Sequence, residues 1–203
     1  MKLPTFDAED VKIKGKTLRH DGFLTLSEYQ LCHKRFDGQW SPVIEREVIT
    51  RPLSIGVLLY DPAVDSVVLI EQFRPGALLG NTYPWLLEIV AGISESGETP
   101  ETVAHREVKE ESGCLMKELL PVMTFYPTPG ASNEKLKLFC GIVDADSAGT
   151  LCGVREEGED IRVHVIPFKQ ACKMIEEGSI LNAPAIIALQ WLALHHQEMK
   201  QHA

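Results

Sequence analysis

The chain has 203 residues with a formal net charge of −9 at pH 7, and 44% of the residues are hydrophobic. This length holds one larger domain, or a domain with an appendage, and supplies enough apolar residues for a packed core. The acidic balance is unsuited to a phosphate backbone, and no apolar run is long enough to span a bilayer, so we expect neither nucleic acid nor membrane partners.

The first part of the chain, residues 1–52, carries strand patterns. Residues 11–18 alternate apolar and polar side chains, and longer strand-like runs follow at 23–36 and 43–49. Asp37-Gly38 separates these two runs, and this pair tolerates the positive φ angles of a tight hairpin turn. The pattern predicts a small antiparallel β-domain with too few strands to bury a core alone.

The second part, residues 53–203, mixes strands with helices. We predict strands at 54–60, 66–73, 85–91, 134–143 and 161–167, helices at 100–112, 168–177 and 184–200, and loops at 61–65, 125–129 and 151–160. Thr99 can cap the first helix, Pro100 suits its first position, and Gly113 can supply the left-handed residue that ends it. The order predicts an α/β fold with a mixed sheet covered by helices.

The spacing of the cysteines does not indicate a disulfide framework or a metal site. There are five, dispersed along the chain without a Cys-x-x-Cys pair. An odd, scattered set is typical of reduced thiols rather than of a disulfide framework or a zinc site. We therefore expect a cytoplasmic protein.

Three glutamates lie on one face of the helix at 100–112. Glu107 precedes Glu110 by three residues and Glu111 by four, which makes them neighbours on the helix surface. In isolation, a solvated acidic face is the more common explanation of such a cluster. The arrangement can also present the oxygen ligands that Mg²⁺ takes, and Glu98 in the preceding loop can add another.

The wider pattern runs from Gly92 to Cys114. Five residues separate Gly92 from Glu98, and seven more precede the run Arg106-Glu107-Val108-Lys109-Glu110-Glu111-Ser112-Gly113-Cys114. It resembles the Nudix box, Gly-x5-Glu-x7-Arg-Glu-U-x-Glu-Glu-x-Gly-U, in which U is bulky and apolar. Cys114 stands where an aliphatic residue is usual, and cysteine behaves as a small hydrophobe. The resemblance implies an α/β/α sandwich that hydrolyses a nucleoside diphosphate linked to another moiety.

The resemblance also implies roles around the box. Glu107, Glu111 and the backbone carbonyl of Ala91 would be Mg²⁺ ligands. Glu110 would be a ligand or a partner of one, and Arg106 would hold the carboxylates by bidentate pairing. Metal ions neutralise a diphosphate, polarise its P–O bonds and lower the pKa of a bound water. We expect two or three Mg²⁺ ions, with Mn²⁺ as an alternative.

Outside the box, the chain resembles the bacterial ADP-ribose pyrophosphatase branch of the family. Pro129 lies sixteen residues after Gly113, a placement characteristic of that branch, and the similarity extends through 85–88, 156–165 and 188–192. The branch implies hydrolysis of ADP-ribose to AMP and ribose 5-phosphate. A nucleotide sugar such as GDP-mannose is an alternative substrate. A non-catalytic nucleotide-binding module is a second alternative, which the intact carboxylates argue against.

The branch places its general base in the acidic loop after the box. That loop offers Glu156, Glu157 and Glu159. We assign Glu157 as the base and Glu159 as a metal-associated residue, while the sequence leaves Glu156 open as the base. A base on a loop would suit a site that closes on its substrate.

Substrate contacts of the branch match eleven positions here. These positions are Phe23, Leu24, Arg46, Glu47, Arg51, Arg74, Ile93, Thr128, Pro129, Gly130 and Glu134. Arginine forks suit phosphate oxygens, although surface ion pairs would also explain the arginines. The resemblance implies a homodimer in which Phe23 and Leu24 reach the second subunit's site near adenine. A stacking role suits Phe23, and an ordinary core position is the alternative.

Overall fold

A computed structural model describes residues 6–94 and 97–203, except for the side chain of Glu157. The chain divides into two compact units, Met1–Pro52 with Thr128–Glu134, and Leu53–Pro127 with Lys135–Ala203. The prediction had placed Thr128–Glu134 with residues 53–203. The segment belongs to the first unit because the Ile49 N–H donates to the Ala131 carbonyl at 2.8 Å and the Arg51 N–H donates to Asn133 Oδ1 at 2.8 Å.

The first unit is a three-stranded antiparallel sheet in the order β1-β2-β3. Its strands are β1 (Val11–Asp21), β2 (Thr25–His33) and β3 (Ile44–Thr50). Gly38, between β2 and β3, has a φ of 83°, the conformation that a tight turn needs. Among the described residues of this unit, only Ser27, Cys32 and Ser132 are buried, which agrees with the expectation that so few strands bury little.

The described residues of the second unit form an eight-stranded mixed sheet with four helices. Its strands are β4 (Ser54–Asp61), β5 (Ser66–Phe73), β6 (Trp85–Glu88), β7 (Val90–Ile93), β8 (Met116–Phe125), β9 (Leu136–Val143), β10 (Leu151–Cys152) and β11 (Ile161–Pro167). Its helices are α1 (Pro75–Leu79), α2 (Pro100–Ser112), α3 (Phe168–Glu176) and α4 (Ala183–Met199). The main path is β10-β11-β5-β4-β9-β8, in which only β4 and β9 are parallel.

Helices cover both faces of this sheet. Alternate residues of β4 point in opposite directions: Val57 packs in a cluster with Val103 and Val108 of α2, whereas Leu58 packs in a second cluster with Leu189 of α4. The predicted α/β/α sandwich is confirmed. Among the described residues, no helix is long and apolar enough to cross a membrane, and all five cysteines are free thiols.

The strand predicted at 85–91 is wrong in one respect, because it breaks at Ile89. β6 pairs with β5, and β7 pairs with β4. β4 and β5 pair with each other only near their shared turn, at Leu59–Asp61 and Ser66–Val68. Where the two strands diverge, β6 and β7 fill the gap between them. The box begins at Gly92, inside β7, which is one of the two strands that fill this gap.

Three further elements were not predicted as helix or strand. β8 is an edge strand that contains Pro121 and has two register shifts. Proline removes a ladder donor and is tolerated at an edge, so the strand lacks the regular alternation of a half-buried strand. The helix α1 has only five residues, and the short strand β10 lies in the stretch predicted as a loop at 151–160.

Candidate active site

The helix α2 has the ends that its sequence predicts. Thr99 Oγ1 accepts a hydrogen bond from the Thr102 N–H at 3.2 Å, and Pro100 occupies the first helical position. Gly113 ends the helix in the left-handed conformation, with a φ of 71°. These caps set the start and the end of the helix, and therefore the face on which its glutamates lie.

Gly92 lies directly under the Glu107 carboxylate. A Cβ at residue 92 would be 1.8 Å from Glu107 Oε1 and 2.0 Å from its Cδ. A side chain at residue 92 would therefore displace the Glu107 carboxylate, and glycine leaves that carboxylate its place against the backbone. The contact brings a carboxylate of α2 against the backbone of β7.

Glu111 is a buried carboxylate next to that contact, with an exposure of 2%. Its Oε2 accepts a hydrogen bond from the Ala91 N–H at 2.9 Å. Burial raises the pKa of Glu111 to about 8, and the nearby charges of Glu107 and Glu159 also raise it, against the lowering effect of the Ala91 N–H. Without a cation beside it, the charged form of the Glu111 carboxylate is therefore disfavoured.

Arg106 contacts three carboxylates. Its Nη1 donates to Glu107 Oε1 at 2.7 Å and to Glu110 Oε2 at 3.3 Å. Its Nε and Nη2 donate to the two oxygens of Glu98, each at 3.3 Å. The hydrogen bond with Glu98 raises the pKa of Arg106, with further contributions from Glu107. Arg106 thus orients carboxylates from the loop and from two turns of α2.

The donor set suits a hard divalent cation. Burial raises the pKa of Glu107, and the charge of Glu159 adds to the increase, so Glu107, Glu111 and Glu159 lie close enough to repel one another. Within the described part of the chain, no three acidic, His or Cys residues form a complete metal cage. Mg²⁺ does not need one, since it commonly takes one or two carboxylates, several waters and substrate phosphate. The residues present therefore fit Mg²⁺.

Comparison with known proteins identifies the family. The family model described as NUDIX domain matches residues 50–189. The chain belongs to the NUDIX family. It is 45% identical to the ADP-ribose pyrophosphatase of Escherichia coli strain K12 over 97% of this chain and 94% of that protein. It is 42% identical to the ADP-ribose pyrophosphatase of Haemophilus influenzae over 98% of this chain and 94% of that protein.

Two further matches are informative. A GDP-mannose pyrophosphatase of Shigella flexneri serotype 5b is 34% identical, over 91% of this chain and 95% of that protein. The crystal structure of an ADP compounds hydrolase matches with a TM-score of 0.73 at 18% identity, over 96% of this chain and 98% of that one. At that identity the structural match shows the fold alone.

The acidic loop after the Nudix box is attached to the end of α2. The Gly153 N–H donates to the Glu110 carbonyl at 2.9 Å, and the Gly149 N–H donates to the Ser112 carbonyl at 2.8 Å. Glu159 Oε2 accepts a hydrogen bond from the Val154 N–H at 2.9 Å. These contacts bring Glu159 near the Nudix carboxylates.

The two candidate bases, Glu156 and Glu157, are neighbours in the acidic loop. Glu157 ends a 3-10 helix at Arg155–Glu157, and its side chain lies outside the described residues. Glu156 is exposed. The assignment of the base stays a prediction.

Arg74 follows β5, as predicted, and comes near the Nudix carboxylates. Its Nε and Nη2 donate to Glu88 Oε2 at 3.0 and 2.7 Å. Burial lowers the pKa of Arg74, but the hydrogen bond with Glu88 and the charges of Glu88, Glu111 and Glu159 raise it above its usual value. Arg74 thus forms an ion pair, but with a buried carboxylate and within electrostatic range of the metal-site candidates, and its role as a substrate contact stays a prediction.

Sequence reasoning assigned no role to Glu88 or Asn182. Glu88 is 5% exposed, and its Oε1 accepts a hydrogen bond from Asn182 Nδ2 at 2.9 Å. The only sequence signal was that Glu88 lies in the run 85–88 that resembles the family. Ile93, another predicted substrate contact, ends β7 opposite Ser54 and is partly buried.

The remaining predicted substrate contacts lie in the first unit. They are Phe23, Leu24, Arg46, Glu47, Arg51, Thr128, Pro129, Gly130 and Glu134. Phe23 is 90% exposed, so the alternative of an ordinary core position within this chain is wrong. The Arg51 guanidinium lies 5.6 Å from the centre of the Phe23 ring, whereas Arg46 Nη1 donates to the Glu45 carbonyl at 2.7 Å.

Proposed function

We propose that this protein hydrolyses the diphosphate bond of ADP-ribose to AMP and ribose 5-phosphate, with Mg²⁺ as its cofactor. The observation that carries the proposal is the 45% identity to an ADP-ribose pyrophosphatase over 97% of the chain. Such identity over nearly the whole length includes regions outside the Nudix box, where residues that select a substrate are expected. The buried, mutually repelling carboxylates of the box support the need for a divalent cation.

Each candidate residue has a role in this reaction. Glu107, Glu111, Glu159 and the carbonyl of Ala91 would hold the metal, which when bound neutralises the diphosphate and lowers the pKa of a bound water. Arg106 keeps Glu107 and its neighbours Glu98 and Glu110 in position through the contacts described above.

Proton transfer and phosphate binding fall to other residues. Glu157, or Glu156, would take the proton of the attacking water. Arg74 would bind a phosphate oxygen, since its guanidinium is oriented by Glu88 near the site. These assignments separate metal binding from the base and from substrate binding.

The candidates of the first unit would bind the nucleotide in a cytoplasmic homodimer. A stacking contact with adenine requires an accessible ring, and the 90% exposure of Phe23 supports that role. Sedimentation of the purified protein tests the dimer, and a monomer at micromolar concentration would contradict it.

One variant tests the metal site directly. Glu111→Gln removes a charged oxygen ligand and is expected to lower ADP-ribose turnover by about 100-fold or more. Glu101→Gln is the matched control, because Glu101 lies on the exposed side of the same helix, where it forms an ion pair with Lys137 at 3.1 Å. A fully active Glu111→Gln variant would show that the metal assignment is wrong, and removal of Mg²⁺ by a chelator should abolish turnover of the wild type.

GDP-mannose hydrolysis is the second candidate, favoured by the 34% identity to a GDP-mannose pyrophosphatase. The test compares kcat/KM for ADP-ribose and GDP-mannose under the same Mg²⁺ concentration. We expect ADP-ribose to be preferred by about tenfold or more, which corresponds to at least about 1.4 kcal/mol. A preference for GDP-mannose would replace the proposed substrate, and tight binding of ADP-ribose without turnover would favour a non-catalytic module.

A further inference from the structure

We propose that Glu88 and Asn182 are positioning residues for Arg74, linking its guanidinium through a buried carboxylate to the start of α4. The inference rests on the proposed function, because it takes Arg74 as a contact of the substrate's phosphate. Neither Glu88 nor Asn182 touches the substrate in this scheme. Both act through Arg74.

The hydrogen bonds of Glu88 use both of its oxygens. Oε2 accepts from Arg74 Nε at 3.0 Å and Nη2 at 2.7 Å, and Oε1 accepts from Asn182 Nδ2 at 2.9 Å. A carboxylate can accept on both oxygens, whereas an amide has only one acceptor oxygen. Glu88 is therefore the residue type that satisfies both neighbours at once.

Asn182 is itself fixed by the helix that it begins. It is the N-cap of α4, where its Oδ1 accepts a hydrogen bond from the Ala185 N–H at 3.1 Å. Since Oδ1 is committed to the helix, the amide nitrogen is left to face Glu88. The chain of contacts thus runs from the backbone of α4, through Asn182 and Glu88, to Arg74.

This link has a consequence for phosphate binding. A free arginine side chain loses about 2 kcal/mol of rotamer entropy when it is held in one conformation. Glu88 engages Nε and Nη2, and among the described residues no acceptor is hydrogen-bonded to Nη1, which can therefore donate to a further acceptor. The side chain of Arg74 is 42% exposed, so a phosphate oxygen can reach it.

Stability alone is a weak reason for such a pair. The Glu88 side chain is only 6% exposed, and burying a carboxylate costs several kcal/mol that its partner must offset. A well-packed apolar pair of similar volume is often as stable. The ionic pair holds a guanidinium in a fixed position close to Glu111 and Glu159, which an apolar pair would not do.

The experiment is a double-mutant cycle on ADP-ribose hydrolysis with Mg²⁺, using Arg74→Ala, Glu88→Gln and the double variant. Glu88→Gln should raise KM about tenfold and leave kcat within about threefold, because substrate binding is weakened more than the chemical step. In the Arg74→Ala background, the same substitution should change KM by less than about twofold. A purely structural role would not make the effect of residue 88 depend on residue 74.

Asn182→Ser provides a second variant that does not disturb the carboxylate. Serine is about as good an N-cap as asparagine, so the helix keeps its cap, but the amide donor to Glu88 is lost. We expect KM to rise about threefold and the melting temperature to fall by a few degrees, because one hydrogen bond to a buried oxygen is lost. If Glu88→Gln does not fold, Asn182→Ser still tests the proposal.

Asp61→Asn is the matched control for a buried carboxylate. Asp61 is 5% exposed, as Glu88 is, and accepts hydrogen bonds from the N–H groups of Ala63 and Ala145 at 2.9 and 2.7 Å. It should lower the melting temperature without raising KM. Equal effects of Glu88→Gln with and without Arg74, or an unchanged KM in Glu88→Gln and Asn182→Ser, would overturn the positioning role alone. A wild type without ADP-ribose turnover would overturn the proposed function and this role together.

Discussion

Gly92→Ala is the smallest change that should displace a metal ligand. The added Cβ would lie 1.8 Å from Glu107 Oε1, whereas real Cβ atoms stay at least 3.0 Å from their neighbours, so the carboxylate must retreat by more than 1 Å. Misplacement of a catalytic group by about 1 Å can cost about 100-fold in rate. We expect kcat/KM for ADP-ribose to fall by about that factor, and the Mg²⁺ concentration at half-maximal rate to rise.

The stability of the variant separates this effect from unfolding. Overpacking by one methyl group typically costs about 1–3 kcal/mol, so the melting temperature should fall by a few degrees and the protein should remain folded. Gly76→Ala is the control, because a Cβ there meets no atom within 4 Å. Activity of Gly92→Ala within about threefold of the wild type, at saturating Mg²⁺, would refute the argument that residue 92 and Glu107 compete for one space.

Two further predictions concern stability. Burial raises the pKa of Asp65, but hydrogen bonds from His196 and Lys200 lower it to about 2, from 3.8 in the absence of these contacts. The stabilisation by the charged carboxylate should therefore be complete above about pH 4 and disappear as the pH falls through about 2. Urea unfolding should show the deficit of Asp65→Asn shrinking over that range, and a constant deficit would contradict the assignment. Gly141→Ala would place a Cβ 2.7 Å from Met116 Sδ. Calorimetry should show that the free energy of unfolding falls by about 1–3 kcal/mol, while kcat/KM is unchanged. An unchanged melting temperature would show that the neighbouring side chains move aside without cost.

The local parts of the site could be predicted from the sequence. Helical geometry alone places Glu107 and Glu111 on one face, and the caps Thr99 and Gly113 are read from residues next to the helix. Both inferences use only residues that are close together in the sequence. The α/β/α sandwich followed from the family resemblance for the same reason, since the box is a continuous segment.

The parts that depend on distant pairing could not be predicted. No local pattern connects Glu88 with Asn182, although their side chains form a hydrogen bond. The break at Ile89 arises because β6 and β7 have different partners, and a run of apolar residues does not reveal a change of partner. The strand β8 was not predicted because it contains Pro121, which a strand tolerates at the edge of a sheet.

The parallel pairing of β4 with β9 bears on how the protein folds. It joins Ser54 to Leu136, so β4 gains its partner on this side only after most of the second unit has been synthesised. Long-range pairing of this kind slows folding, and stopped-flow refolding should take milliseconds to seconds rather than microseconds. Until β9 is in place, one edge of β4, whose residues are all buried in the folded protein, remains open to other chains. Overexpression and heat should therefore cause aggregation mainly through molecules that have not yet closed this edge.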